Sequence, residues 1–565
     1  VRYVGFTIVN SALLVILAII IYVVCYVLYG RKLLERRVVR ADPTRLTPAW
    51  TRFDGIDYVP ANKYVLYGHH FASIAGAGPI VGPAIAMVYG WLPCLIWIWF
   101  GNVFIGAVHD YLALMASVRY DGMSIAYITE KIISKRARYI FAIYIYFTLI
   151  LIAAAFLSVC ATVFVNVPGT ATQEILFIPL GLLLGMLLYR VGLSIRTTTI
   201  IGYVLLWAIV IYAYFIPLKL PYETWIIVMT IYAFLASWLP VWYLLQPRDF
   251  IQMLILWTGL IFGTAALIAG FKPIEQAPVL TLVHPMRGPF WPCVPLYIAC
   301  GALSGFHSLV SSGTSSKQLA NELDALLVGY GGMFSEGYLS TIVVTSMAAF
   351  WVTGKIEAGL GGFLKAYGLA LQYGLGLPAA FGTLWAGIWL TSFVTTTLDT
   401  DLRLARYIWV ELMEPIKKYA TAYKVLANRV VASLIAALLS FALGYPKIYE
   451  PTLKAWVPAY KVLWGAFGGM NQLLASLALI TTATWIYGVL RAPRGPSLLA
   501  FVPAFFLWIT VTGALIWWLG WFAPPRIASP SVVGAAIIIG ISLALNFALL
   551  GEVIASIRRY RKLSS

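Results

Sequence analysis

Apolar stretches of membrane-spanning length recur along the chain, divided by short connections that hold most of its charged residues. A helix needs roughly 20 mostly apolar residues to cross the hydrocarbon core. The pattern predicts about fifteen embedded segments: 4–29, 70–89, 91–117, 139–165, 175–190, 199–216, 224–245, 251–270, 291–311, 338–354, 378–397, 428–444, 462–487, 499–519 and 532–555. The first is no signal peptide. It is too long, and Arg31, Lys32, Arg36 and Arg37 follow the apolar run instead of preceding it. The fold class expected is an all-α polytopic membrane protein, a single transmembrane domain over 1–565. An outer loop is expected at 352–377.

Composition narrows the function. Hydrophobic residues make up 61% of the 565 positions and charged ones 11%, against roughly 25% charged in soluble domains. That excludes a soluble enzyme, a disordered chain, collagen and a coiled coil. The 21 Trp and 34 Tyr suit membrane interfaces. The net charge of +18 points to topology and not to nucleic acid, because the basic residues lie between apolar runs. With fifteen crossings and the N-terminus outside, inner connections hold 29 Lys and Arg and outer ones 10. The clusters 31–63, 119–138, 403–429 and 558–562 then share one side, which predicts N-out and C-in. The five cysteines form no CxxC pair and read as small buried hydrophobes. Nucleotide fingerprints, HExxH and metal-ligand clusters do not occur, so neither a cofactor nor an attached ATPase is expected.

Helix breakers mark where a site is expected. Gly76, Gly78, Pro79, Gly82 and Pro83 interrupt the second segment just after His69, His70 and Ser73. Backbone groups freed there are tolerated only where protein or a watery cavity satisfies them. A second run, 300–318, has Gly301, Gly305 and Gly313 with Ser304, His307 and Ser311. Breaks at 76–79 and 305–313 are expected to meet and form the substrate cavity. A third run, 391–401, places Thr395, Thr396, Thr397 and Asp399 at the inner end of a span. Those hydroxyls either coordinate Na⁺ or bond back to the i−4 carbonyl. In the fourth, Gly468 and Gly469 loosen a helix beside Asn471 and Gln472. Substrate-binding candidates are therefore His69, His70, Ser73, Gly76, Gly78, Ser304, His307, Ser311, Asn471 and Gln472.

Ionisable groups inside spans are costly and point to function. Asp110 shares its segment with Asn102 and His109, seven and eight positions apart and near one helical face. Such a carboxylate carries a proton or pairs with a cation. Asp110, His109, Asn102, Thr395, Thr396 and Asp399 are the coupling-ion candidates, with H⁺ or Na⁺ as the ion. His109 and Asp110, adjacent in sequence, are expected to face different directions and make a poor dyad. Glu552 reads as structural.

The motifs Val59-Pro-Ala-Asn-Lys63, Gly68-His-His-Phe71, Gly76-Ala-Gly-Pro79, Val108-His-Asp-Tyr111 and Arg119-Tyr-Asp-Gly-Met-Ser124 resemble the carbon starvation protein A family. Ala302-Leu-Ser-Gly-Phe-His307, Ser311-Ser-Gly-Thr-Ser-Ser-Lys317, Thr396-Thr-Leu-Asp-Thr400 and Asn471-Gln-Leu-Leu-Ala475 extend the resemblance over about 50–490. It implies import of short peptides, or in close relatives of pyruvate, across the plasma (inner) membrane during carbon starvation, driven by an ion gradient. It also implies the amino acid–polyamine–organocation superfamily, with a leucine-transporter-like inverted-repeat core and two broken helices. The helices over 499–555 would be peripheral. No catalytic residue carries over.

Beside secondary transport stand a channel, a membrane enzyme and a starvation sensor with little flux. A channel wants a repeated filter, and an enzyme wants a nucleophile. A sensor would bind without counterflow. A peptide needs partners at both ends, whereas pyruvate needs one anion site. Helix N-termini at Gly76 or Gly313 suit a carboxylate, and Asp110 or Asp399 suits an amine.

Overall fold

A computed structural model describes residues 9–55, 57–238 and 245–564. All fifteen predicted segments overlap helix over their described residues; 4–8 and 239–244 lie outside the described residues. Among the described residues, nine helices are long and apolar enough to cross a membrane, or up to eleven if each of two bent pairs counts as one span. The only strands there are two short antiparallel hairpins.

The helices that build the site are α1 (Ser11–Val39), α2 (Lys63–Ile74), α3 (Gly78–Tyr89), α4 (Trp91–Arg119), α5 (Ile125–Ile132), α6 (Lys135–Asn166) and α7 (Gly169–Tyr189). They continue with α8 (Ile195–Phe215), α9 (Tyr222–Trp238), α10 (Leu245–Gly270), α11 (Phe290–Tyr297), α12 (306–318) and α13 (Gly332–Ala349). The last group is α14 (Leu360–Leu375), α15 (Ala379–Leu412), α16 (Arg429–Gly444), α17 (Tyr460–Gly488), α18 (Arg494–Trp517) and α19 (Pro530–Ser564).

One succession of elements occurs twice. A broken helix (α2/α3) is followed by a returning helix (α4), a short helix (α5) and a long helix (α6). Then α11/α12, α13, α14 and α15 repeat it. The short helix α5 follows the basic loop at Arg119. Its counterpart α14 lies at the opposite end, where Gly359 N donates to Ala84 O at 2.7 Å and Gly270 closes on Tyr373. The long helices α6 and α15 pack together. The stretch 352–377, expected as a loop, thus contains a 16-residue helix. Its Leu360, Phe363, Leu364 and Tyr367 are buried on one side, an amphipathic pattern too short to read as a span.

Hydrogen bonds and ion pairs gather the four basic clusters at one end of the molecule. Arg119 bonds Glu322 at 2.9 Å and Arg40 O at 3.1 Å, and Arg52 pairs with Asp121 at 2.8 Å. Arg138 joins Glu130 (2.9 Å), Glu411 (2.7 Å) and Glu414 (3.4 Å). Arg559 donates to Ile133 O at 2.7 Å. At the other end Ser11 N donates to Lys272 O, and Lys447 pairs with Glu223, each at 2.8 Å. In a cysteine-free background, single cysteines at Arg36, Lys131, Lys424 and Lys562 are therefore expected to share one labelling behaviour. Lys219 and Lys454 should show the opposite one. Impermeant-maleimide labelling of intact cells checks this, and a split among the first four would contradict the arrangement.

Candidate substrate and proton site

The two broken helices meet. The first breaks over Ala75–Ala77, with a 48° bend between its halves. Ala75 is extended, and Pro79 at the start of α3 has no N–H to continue the ladder. The second breaks over 298–305. A Cβ on Gly78 would collide with Cβ and Sγ of Cys300, and one on Gly301 would lie 3.5 Å from Pro79 Cα. Glycine is required because a Cβ would run into the Cys300 side chain at Gly78 and the Ser340 side chain at Gly301.

This corrects the second expected break. Residues 305–313 are helical from Phe306, with a wider turn over Ser311–Ser315. The serine hydroxyls are satisfied within that helix by bonding back, so they do not force a break: Ser308 Oγ to Gly305 O at 2.7 Å and Ser312 Oγ to Ser308 O at 2.6 Å. Gly313 starts no helix, so no helix N-terminus is available there. The break falls earlier, around Gly301.

Backbone groups freed at the breaks find partners on neighbouring helices. Asn471 holds the second break. Its O accepts from Gly305 N at 2.9 Å, and its Oδ1 accepts from Phe306 N at 3.0 Å. Its Nδ2 donates to Ser304 Oγ at 2.9 Å. Gln472 donates to Ile298 O at 3.1 Å and to Pro295 O. Asn102 donates to Gly301 O (3.2 Å) and Met333 O (2.7 Å), and Ser340 Oγ to Pro79 O at 2.7 Å. Asn471, Gln472, Asn102 and Ser304 thus brace the breaks. Gly468 and Gly469 do not loosen α17, which is continuous. They let it approach Leu296 and Leu515 closely.

The candidate ionisable groups fall into two of the buried assemblies. In the first, Asp110 Oδ1 lies 2.9 Å from His109 Nδ1, and its Oδ2 lies 2.9 Å from His307 Nδ1. His109 and Asp110 are hydrogen-bonded neighbours, against expectation; rotamers that fold toward each other bring adjacent helical residues together. His307 Nε2 lies 3.3 Å from Glu336 Oε2, close but without hydrogen-bond geometry. An imidazole between two carboxylates can take a proton on one nitrogen and release one from the other. All four side chains are buried. Nearby, His70 Nδ1 bonds Ser315 Oγ at 2.8 Å, and the His70 ring faces Gly332, one turn before Glu336. His69 is half-buried, and its carbonyl accepts from Ser73 Oγ at 2.8 Å. Ser311 Oγ is buried and has no hydrogen-bond partner among the described residues. Gly76 faces Phe156 and Thr397 Oγ1, which would lie 3.0 Å from a Cβ placed on it.

The second assembly takes Asp399, Thr395 and Thr396 away from Asp110. Asp399 Oδ2 accepts from Arg248 Nη1 at 2.6 Å and from Tyr232 OH at 2.7 Å. Arg248 Nη2 reaches Glu174 Oε2 at 3.1 Å. Thr395 bonds Glu174 at 3.2 Å and Thr391 O at 2.9 Å, and Thr396 bonds Ser392 O at 2.9 Å and Gln252. Both threonines bond back along an unbroken α15, so they are drawn into helix and ion cluster. Glu174, Arg248 and Glu336 were missed in the sequence. Each lies just outside a segment trimmed at its charge: Glu174 before 175, Arg248 between 245 and 251, and Glu336 before 338. Among the described residues, no group of three His, Cys, Asp or Glu is placed to hold a metal ion.

A family model described as carbon starvation protein CstA matches residues 10–356 and 357–514. The peptide transporter CstA of Escherichia coli (strain K12) is 30% identical, over 91% of this chain and 82% of that protein. The peptide transporter CstA of Bacillus subtilis (strain 168) is 29% identical, over 98% of both. The pyruvate/proton symporter BtsT of Escherichia coli (strain K12) is 29% identical, over 90% and 81%. The fold is similar to that of a solved mutant of the Eremococcus coleocola manganese transporter. The TM-score is 0.55 at 12% identity, over 90% of this chain and 99% of that one. That likeness concerns the fold alone.

Proposed function

The chain belongs to the carbon starvation protein CstA family, and on that premise we propose that it is a secondary active transporter importing short peptides across the plasma membrane, coupled to protons. The observation that carries the coupling is the buried series Asp110–His307–Glu336 beside two crossing helix breaks. Carboxylates and an imidazole in that order offer a proton sites on three helices, α4, α12 and α13. A conformational change that separates these helices changes the proton's exits. A similar Escherichia coli protein, BtsT, is a pyruvate/proton symporter, in agreement with that ion.

The rest of the reading follows the same geometry. The repeated succession α2–α6 and α11–α15, with its short helices at opposite ends, supports a leucine-transporter-like inverted repeat. Fifteen crossings, N-terminus outside and C-terminus in the cytoplasm, fit the gathering of the basic clusters at one end. The helices over 499–555 are peripheral, and α18 and α19 pack against α17. The protein binds substrate and changes shape; no covalent step is assigned.

Pyruvate is the second reading. A pyruvate symporter and the peptide transporters are about equally similar to this chain. A small cavity between Ala72, Gln252, Trp389, Ser392 and Thr396, with room for about a water molecule in this conformation, would favour the smaller solute if it widens. Counterflow in proteoliposomes with pyruvate and with di- and tripeptides separates the two. Peptide counterflow is expected. Pyruvate counterflow alone would move the assignment to pyruvate, and binding of either without counterflow would make the protein a sensor.

A further inference from the structure

We propose that Arg248 takes the carboxylate of the transported substrate, with Asp399 occupying that place while the site is empty of substrate. This rests on the transport reading above and names the chemistry of its substrate.

The guanidinium is almost wholly buried, its side chain 1% exposed. It faces Asp399 from α15 and Glu174 from α7, with the Tyr232 ring 4.9 Å beneath it. Gln252, on its own helix, also lies within its reach. A guanidinium fork matches both oxygens of one carboxylate. Here neither acid uses it that way. Asp399 offers only Oδ2, and its Oδ1 has no hydrogen-bond partner among the described residues. Glu174 offers Oε2 to Nη2, with its Oε1 3.5 Å from Ser392 Oγ. A residue built only to neutralise a buried acid would pair both oxygens, since a half-paired buried charge is costly. A one-oxygen contact is replaceable. Tyr232 OH, which donates to Asp399 Oδ2 at 2.7 Å, is a second partner for that carboxylate.

The access side agrees. Gln252, Ser392 and Thr396, all in the shell of this cluster, also line the small cavity. Ala72, three residues before the first break, lines it too, and Leu256, Trp389 and Phe393 form its apolar wall. Polar floor, buried cation and apolar wall match the chemistry of a carboxylate on a short apolar body; the cavity has room for about a water molecule here, so that body enters only as the surrounding helices part. Both pyruvate and the C-terminus of a small peptide have that chemistry.

The test reads binding of labelled pyruvate and labelled alanyl-alanine to the full chain in nanodiscs. Alanyl-alaninamide, which has no carboxylate, serves as competitor. Asp399→Asn removes the resident competitor and keeps the shape. It is expected to tighten binding of the transported probe by about tenfold or more. Arg248→Gln should weaken it by at least about tenfold, with Arg248→Lys between, and the amide should not compete. A structural ion pair would instead make both partners' variants lose binding together. Asp399→Asn binding no tighter than wild type, or effective competition by the amide, overturns the proposal even if Arg248→Gln fails to fold. If wild type binds and counterflows neither probe, the transport reading fails instead.

Discussion

Asp110→Asn is expected to keep exchanging substrate across the membrane while losing the ability to accumulate it, so that the inside-to-outside ratio settles at about one. One proton moving down a pH step of one unit supplies about 1.4 kcal/mol, enough for a tenfold ratio in wild type. Asp110 meets His109 Nδ1 with one oxygen and His307 Nδ1 with the other, both at 2.9 Å. An amide keeps that shape but can neither gain nor lose the proton. The substrate cavity and the second ion cluster do not use this carboxylate. A purely structural Asp110 gives a different signature, in which yield, thermal stability and exchange fall together. Uptake and counterflow measured on the same proteoliposomes separate the two outcomes.

Substitution of Gly78 has the other large effect. Even alanine there would collide with the Cβ and Sγ of Cys300. Overpacking typically costs about 1–3 kcal/mol, and here it pushes two helix breaks apart. Gly78→Ala is expected to abolish uptake, and Gly78→Leu to do so more severely. The collision involves the Cys300 side chain, so Gly78→Ala combined with Cys300→Gly should recover part of the uptake. Gly78→Ala with wild-type uptake would contradict the crossing of the breaks. A double variant no better than the single would assign the loss to the α3 backbone instead.

The apolar helices were legible, though not their number as crossings, because bilayer thickness imposes its length on an apolar helix, and the first break because prolines remove donors and glycines tolerate non-helical angles in a dense group. The second break was misplaced by several residues. Its serines looked disruptive, but their hydroxyls bond to carbonyls one turn back and are compatible with helix. The residues after Ile298 break because Gly301 and Asn471 make an irregular backbone tolerable, and that is a tertiary fact. Asp110 and His307 were each visible as ionisable residues in apolar surroundings. Their partnership was not, because 197 positions separate them. Glu174, Arg248 and Glu336 were lost for a different reason. Trimming apolar segments at charges removes the charges that a span buries.

The most direct measurement is substrate-driven proton movement in sodium-free proteoliposomes that enclose a pH-sensitive dye, with no gradient imposed beforehand. Adding the substrate identified by counterflow outside wild-type vesicles is expected to acidify the interior, with no such change for Asp110→Asn. Wild-type vesicles that take up substrate without acidifying, or that need sodium to take it up, would contradict proton coupling through Asp110.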